Sequence, residues 1–288
     1  MNLAFGRMFF NSIILKVSNF VKRSITGSLF VIVLVGSILL GKITFYILFA
    51  TITYLGLSEF YGLVQRKGVR VQSVLGIITG VTLFTLSFLI SANVLMLKYL
   101  YVLIPLFIGV YIIELFRNLE HPFINIAFTF LGIIYIALPF SLMNFIIFPS
   151  GNWHHYDPQM VLGFFLMIWA SDTGAYLVGM AIGKHKLFER ISPKKTWEGF
   201  AGGMIFSVLA ALVISKYFPA ISDYQWTLMA FIVFLFGSFG DLSESLLKRS
   251  MQIKDSGNLL PGHGGILDRF DSVLMAAPMV FVYLQLIR

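Results

Sequence analysis

The chain contains no cysteine and few charged residues, and both shortages limit what it can be. Without cysteine it cannot form disulfides, Cys-ligated zinc sites, iron–sulfur clusters or a thiol nucleophile. Charged residues make up 12% of the 288 positions, about half the share typical of soluble domains. Apolar residues make up 58%, and the mean hydropathy is +0.87. This composition predicts a polytopic membrane protein.

Common catalytic motifs are missing as well. The sequence has no HExxH motif and no GxSxG nucleophile elbow. The run 179–185 resembles a P-loop, but its spacing is one residue short and His185 stands where Ser or Thr is required. The sequence therefore gives no support to zinc protease, serine hydrolase or P-loop NTPase chemistry.

Apolar stretches recur along the whole chain and predict an all-α integral membrane protein with about nine transmembrane helices. The predicted spans are 26–40, 43–65, 73–91, 97–116, 122–148, 160–182, 200–217, 225–247 and 271–287. If the N-terminus is cytoplasmic, all but four of the 21 Lys and Arg residues lie inside, as the positive-inside rule expects. The four exceptions are Lys42, Lys98, Lys216 and Arg288. An even number of spans would move the C-terminus but not the other loops.

Three regions are predicted. Residues 1–25 form an N-terminal amphipathic segment on the inner membrane surface, because Phe5, Phe9, Ile13 and Val17 recur at helical spacing; a frayed basic tail is the alternative. Residues 26–150 form a transmembrane scaffold, and residues 151–288 form a transmembrane catalytic region. The third region contains the two longest loops predicted to be cytoplasmic, 183–199 and 248–270.

Four aspartates in this third region are candidate metal ligands: Asp172, Asp241, Asp268 and Asp271. Acidic side chains within spans usually face a protein interior or a water-filled cavity, and carboxylates are typical ligands of Mg²⁺. Each of the four has an alternative. Asp241 could pair with a lysine of its own helix, Asp268 and Asp271 could favour a helix N-terminus through the dipole, and Asp172 could accept a hydrogen bond from a neighbouring hydroxyl.

Two loops carry candidate phosphate-binding groups. In the first, Ser192 and Pro193 are predicted to begin a helix, with Lys194 and Lys195 in its first turn, where backbone N–H groups and lysines would bind phosphate together. Membrane anchoring is the alternative role of these lysines. In the second, the run 261–265 is PGHGG, whose glycines allow backbone N–H groups to approach an anion, and a plain turn is the alternative.

One long motif resembles a known family. Residues 245–271 read S-L-L-K-R-x4-K-D-S-G-x3-P-G-H-G-G-I-L-D-R-F-D, which resembles the signature of the phosphatidate cytidylyltransferase (CDP-diacylglycerol synthase) family. The segments SDTGAYLVG at 171–179 and SPKKTWEG at 192–199 are similar to the same family, as is the weaker element at 22–27. The specific likeness thus covers mainly 171–271.

The resemblance implies that CTP and phosphatidate react to give CDP-diacylglycerol and pyrophosphate. It implies Mg²⁺, with K⁺ as an additional ion, and a homodimer in the inner membrane of a bacterial cell, with active-site loops in the cytoplasm and no nucleic-acid partner. We assign reaction chemistry to Asp241, Asp268, Lys248, Arg249, His263 and Arg269. We assign nucleotide and phosphate binding to Lys194, Lys195, Ser192, Lys254, Asp255, Gly264 and Gly265.

Other functions fit parts of the pattern. An ion-coupled transporter would explain acidic residues inside spans, although the sequence shows no inverted halves. A related CTP-using enzyme, such as a polyprenol kinase or an archaeal-type lipid cytidylyltransferase, would act on another lipid. A non-catalytic scaffold is the remaining class.

Overall fold

The computed structural model of the protein describes residues 24–253, 256–257 and 264–287. Most of the described residues are helical, which confirms the predicted fold class. The helices are α1 Ser24–Leu39, α2 Lys42–Gln65, α3 Ser73–Ser91, α4 Leu103–Arg117, α5 Pro122–Gly132, α6 Leu138–Ile147, α7 Gln159–Ile182, α8 Trp197–Tyr217, α9 Asp223–Ser250 and α10 Leu267–Leu286. A 3-10 turn, Leu97–Val102, leads into α4, and a π-helical turn, Ile133–Ala137, joins α5 to α6.

Within the described residues, seven helical segments are long and apolar enough to cross a membrane. They are Lys42–Gln65, Ser73–Ser91, Leu97–Arg117, Pro122–Ile147, Gln159–Ile182, Trp197–Tyr217 and Asp223–Ser250. The first apolar helix, α1, is shorter, and α10 begins with a charged turn. The predicted spans coincide with helices, but their predicted number of nine stays a prediction. The amphipathic segment predicted at 1–25 lies outside the described residues except for its last two positions.

Helices α7 and α8 pack closely because glycines face each other between them. A Cβ atom at Gly174 would meet the side chain of Phe206, and one at Gly202 would meet Val178. Small residues allow helix backbones to approach within a membrane protein, where hydrophobic burial between helices contributes little. This close packing fixes the relative position of α7 and α8, the two helices that flank the loop containing the SPKK sequence.

An aromatic cluster fixes the start of α10 within the bundle. The ring of Phe270 packs edge-on against Phe30 of α1, Phe140 of α6 and Phe165 of α7, with centroid separations of 5.6, 5.5 and 6.5 Å. Edge-to-face aromatic contacts of this kind contribute about 0.5–1.5 kcal/mol each beyond burial. Because Phe270 lies between Arg269 and Asp271, the cluster also sets where the polar first turns of α10 point.

The predicted helix start at Ser192–Pro193 is wrong. Ser192–Thr196 is a strand, β2, which pairs antiparallel with β1, Lys186–Phe188. Helix α8 begins only at Trp197, where the Thr196 hydroxyl accepts a hydrogen bond from the Gly199 N–H group at 3.1 Å. The hairpin forms because β1 supplies a backbone partner from a different part of the loop, which local N-cap chemistry cannot reveal.

Candidate active site

All four candidate aspartates line one polar cavity. The cavity encloses about 370 Å³ and is bounded by Asp172 of α7, Asp241 of α9, and Asp268 and Asp271 of α10. The other lining residues are Thr26, Gly27, Phe30, Val31, Trp169, Arg269 and Ser272. Asp271 lies within electrostatic reach of both Asp172 and Asp241. Carboxylates gathered in this way repel one another unless cations enter the cavity.

Asp268 is the most tightly held of the four. Its Oδ1 atom lies 2.7 Å from Lys248 Nζ, and its Oδ2 atom accepts hydrogen bonds from the Gly265 N–H at 2.8 Å and the Ser256 N–H at 3.0 Å. Lys248 also forms an ion pair with Glu244, whose side chain is 1% exposed. Asp268 belongs to the first turn of α10, so the dipole interaction named as an alternative for Asp268 and Asp271 applies to Asp268.

Asp241 is paired with the hairpin rather than with its own helix. Its Oδ2 atom lies 2.7 Å from Lys195 Nζ of β2, while Oδ1 accepts a weak 3.4 Å hydrogen bond from Ser245. Since Lys195 and Asp241 are 27% and 35% exposed, water and ions can reach this pair. The hairpin therefore places a lysine against one of the aspartates that line the acidic cavity.

A second, larger groove adjoins the first. It encloses about 570 Å³ between α7, α8 and α9 and shares Asp172, Asp241 and Ser272 with the acidic cavity. Lys194 and Lys195 line its polar end. Apolar and aromatic side chains line much of the rest, among them Tyr176, Met180, Leu187, Phe200 and Phe234. A ligand with a phosphate and a long apolar tail matches this distribution.

The other predicted site residues do not all lie at the two cavities. Arg269 lines the acidic cavity beside Asp268 and Asp271. Arg249 points to the hairpin, where its Nε–H donates to the Ile191 carbonyl at 3.4 Å, and Ser192 lies within β2. Neither residue is among those that line the two cavities. The predicted site residues Lys254, Asp255 and His263 lie outside the described part of the chain.

Gly264 and Gly265 lie directly against the carboxylates of two acidic residues of the protein itself. Gly264 has a φ of +79°, a conformation that other residues rarely adopt, and a Cβ atom there would overlap the Asp268 carboxylate. The Gly265 N–H donates to Asp268, and a Cβ atom at this position would overlap the Glu59 carboxylate. The glycines thus allow two acids to approach the backbone, whereas the anion-binding role assigned to them stays a prediction.

Two acidic residues, Glu59 and Glu198, could not be assigned a role from the sequence. Glu59 of α2 accepts hydrogen bonds from the segment that precedes α10, although it lies far away in the sequence. Glu198 accepts the N–H groups of Lys184 and His185 and lies 2.6 Å from His185 Nδ1, so it fastens the hairpin to α8. The position of Glu59 as a single acid inside a predicted span indicated that it needs partners. No local sequence pattern indicated which residues those partners are.

The geometry therefore brings carboxylates, lysines and an arginine together beside an apolar groove, as a reaction between anionic phosphates requires. A family model described as "Cytidylyltransferase family" matches residues 21–287. The chain belongs to the cytidylyltransferase family.

Similar proteins carry a more specific name. A phosphatidate cytidylyltransferase of Bacillus subtilis (strain 168) is 34% identical over 273 residues, which cover 92% of this chain and 97% of that protein. One of Staphylococcus aureus (strain COL) is 36% identical over 268 residues, covering 91% and 98%. One of Staphylococcus haemolyticus is 42% identical over 164 residues, covering 56% and 60%. These findings confirm the resemblance seen in the sequence.

Proposed function

We propose that this chain is a phosphatidate cytidylyltransferase, which converts CTP and phosphatidate into CDP-diacylglycerol and pyrophosphate. The observation that carries this proposal is the junction of the two cavities: an acidic, cation-attracting cavity meets an apolar groove at Asp172 and Asp241, and Lys195 of the groove pairs with Asp241. The full-length similarity to proteins of that name supports the same activity.

The reaction joins two anions. A phosphate oxygen of phosphatidate attacks the α-phosphorus of CTP, the bond from that phosphorus to the oxygen leading to the β-phosphate breaks, and pyrophosphate leaves with that bonding pair. Phosphatidate is already ionised at neutral pH, so the enzyme needs no strong general base. Its task is to position the two phosphates and to neutralise their repulsion.

Three cationic side chains are placed for that task. Lys194 and Lys195 line the polar end of the groove, where they would bind the lipid phosphate. Arg269 lines the acidic cavity, where its guanidinium would bind nucleotide phosphate oxygens. Lys195 is held by Asp241 at 2.7 Å, so a bound phosphate would compete with that carboxylate for the same ammonium group.

The cavity's donor set fits Mg²⁺. Within the described residues, no three acidic or histidine side chains converge tightly enough to form a complete metal cage. Mg²⁺ is usually held by one or two carboxylates and completed by waters and substrate phosphates, so Asp241 and Asp271 or Asp172 suffice as protein ligands. Asp268, already engaged by Lys248 and Ser256, would join them only by giving up one of those contacts. When bound, the ion would polarise phosphate oxygens and offset charge on the pyrophosphate.

The cellular arrangement is part of the proposal. Phosphatidate would enter from the inner leaflet of a bacterial inner membrane through the apolar groove, and CTP would enter from the cytoplasm. The positive-inside pattern supports this orientation. A K⁺ ion and a homodimer are proposed on the family resemblance alone.

A pyrophosphate-release assay tests the function. The purified chain is given CTP or dATP with Mg²⁺, with and without phosphatidate, and the lipid product is identified by mass spectrometry. We expect release only when CTP and phosphatidate are both present, and a loss of release in Asp241→Asn. Release with CTP and a polyprenol instead of phosphatidate would assign a different lipid. Vesicle transport of an ion without pyrophosphate release would favour a transporter.

A further inference from the structure

A carboxylate in the N-terminal half of the chain organises the backbone that leads into α10. Glu59 of α2 accepts a hydrogen bond from the Ile266 N–H at 2.8 Å through Oε2 and a longer one from the Leu267 N–H at 3.3 Å through Oε1. The first N–H groups of a helix have no partner within it, and the N-cap residue of α10, Ile266, makes no side-chain capping hydrogen bond. Glu59 therefore caps α10 from another helix, with its charge at the positive end of the dipole.

The same carboxylate is linked to Asp268 through one hydroxyl group. The Oγ atom of Ser256, a buried residue, contacts Glu59 Oε1 closely and lies 2.8 Å from Asp268 Oδ2. Asp268 in turn binds Lys248, which pairs with Glu244. Contacts thus run without interruption from α2 through Ser256 to the lysine of α9. Glu59 is therefore connected to Asp268 by two routes, the shared serine and the start of α10.

The surrounding glycines show how closely Glu59 is enclosed. A Cβ atom at Gly257 would lie 3.0 Å from the Glu59 carboxylate, and one at Gly265 would overlap it. A carboxylate held this closely against backbone allows little freedom to the segment around it. The side chain does not line the acidic cavity, so it has no contact with a substrate bound there.

We propose that Glu59 is a positioning residue, which acts through Ser256 and the start of α10 to hold Asp268 in place beside Lys248. The inference rests on the proposed function, because it gives Glu59 a role in the transfer reaction. Glu59 itself neither binds substrate nor supplies a metal ligand. Its removal allows the first turn of α10 to loosen and the Asp268 carboxylate to leave the cavity wall.

The test compares three variants of the full chain with one matched control. Glu59→Gln keeps the size but places an amide group where two N–H donors need an acceptor, Glu59→Asp keeps the charge with a shorter reach, and Ser256→Ala removes only the shared hydroxyl. Glu120→Gln makes the same charge change at an exposed acid between α4 and α5. Amide hydrogen exchange is measured on the metal-free protein in detergent, and kcat, KM and the Mg²⁺ requirement are measured with substrates.

In the Glu59→Gln variant, the amide hydrogens of Ile266 and Leu267 should exchange at least tenfold faster than in the wild type. The exchange rates of peptides from α3 and α5 should be unchanged. The kcat of Glu59→Gln should fall at least tenfold and its Mg²⁺ requirement should rise, with Glu59→Asp intermediate and Glu120→Gln like the wild type. Wild-type exchange, kcat and Mg²⁺ requirement in Glu59→Gln would overturn the proposal. If that variant does not fold, wild-type kinetics in Ser256→Ala would overturn it.

The exchange measurement separates this inference from the proposed function. A wild-type chain that releases no pyrophosphate refutes the proposed function and with it the catalytic part of the Glu59 role. The exchange rates at 264–268 still decide whether Glu59 holds this segment. An active wild type with an unaffected Glu59→Gln variant refutes only the inference.

Discussion

Replacement of Lys248 by methionine tests the charge arrangement at the centre of the site. Its ammonium group lies between Glu244 and Asp268, whose side chains are 1% and 10% exposed, and the lysine side chain is 16% exposed. Methionine fills a similar volume without charge. The change therefore leaves two carboxylates close together with little access to water, while the apolar packing of the lysine stem is largely kept.

The expected cost follows from this burial. Removing one partner of a buried ion pair typically destabilises a protein by about 3–5 kcal/mol, because a charge remains without compensation. We expect the lower end, ~3 kcal/mol, because Asp268 keeps the backbone hydrogen bonds from Gly265 and Ser256 and borders a cavity that water can enter. For a chain of this size, this corresponds to a thermal midpoint lowered by roughly 6–12 °C.

Thermal unfolding in detergent and pyrophosphate release together provide the assay. Lys216→Met, at an exposed position in the last turn of α8, is the matched control and should change the midpoint by only a small amount. The double variant Lys248→Met with Glu244→Gln removes the buried negative charge and should recover most of the stability. It should remain inactive, because Asp268 still lacks its cation. A Lys248→Met midpoint equal to that of the wild type, or no recovery in the double variant, would refute the reasoning.

Three further predictions concern the rest of the site. Asp268→Asn should lower kcat by at least a hundredfold in protein that still folds and inserts, and near-normal turnover with Mg²⁺ present would remove Asp268 from the site. Lys194→Ala combined with Lys195→Ala should raise KM for CTP or phosphatidate, because both ammonium groups line the groove; unchanged kinetics would leave these lysines as membrane anchors. Because the natural chain has no cysteine, single cysteines report its orientation without background: Lys186→Cys should react with an impermeant thiol reagent only from the cytoplasmic side, and Asn152→Cys only from outside. The reverse pattern would contradict the positive-inside assignment.

Much of the fold could be predicted because the relevant signals are local. Apolar runs located the helices to within a few residues, for example 73–91 for α3 and 43–65 for α2. Helix α9 also begins with a recognisable capping box, in which Ser222 and Gln225 satisfy each other's backbone groups. The hairpin at 186–196 was not predicted, because pairing of β1 with β2 depends on two segments meeting and not on either one alone.

The gathering of Asp172, Asp241, Asp268 and Asp271 was expected, and all four line one cavity. Their cationic partners were assigned less well. A pairing of Asp241 with a lysine of its own helix was one alternative, yet Lys248 of that helix binds Glu244 and Asp268, and Asp241 binds Lys195. Helical spacing indicates which residues share a face, but it does not indicate what the neighbouring element presents to that face.

By itself, the sequence determined a helical membrane protein whose polar chemistry is concentrated in its second half, because hydropathy, charge and motif spacing are properties of contiguous residues. Only the tertiary structure decided which charges compensate one another. Ser256 and Glu59 are 197 positions apart in the chain, yet they touch, and Lys195 reaches Asp241 because the hairpin lies beside α9. These pairings affect stability because burying a charge away from water is costly unless the fold places a partner beside it.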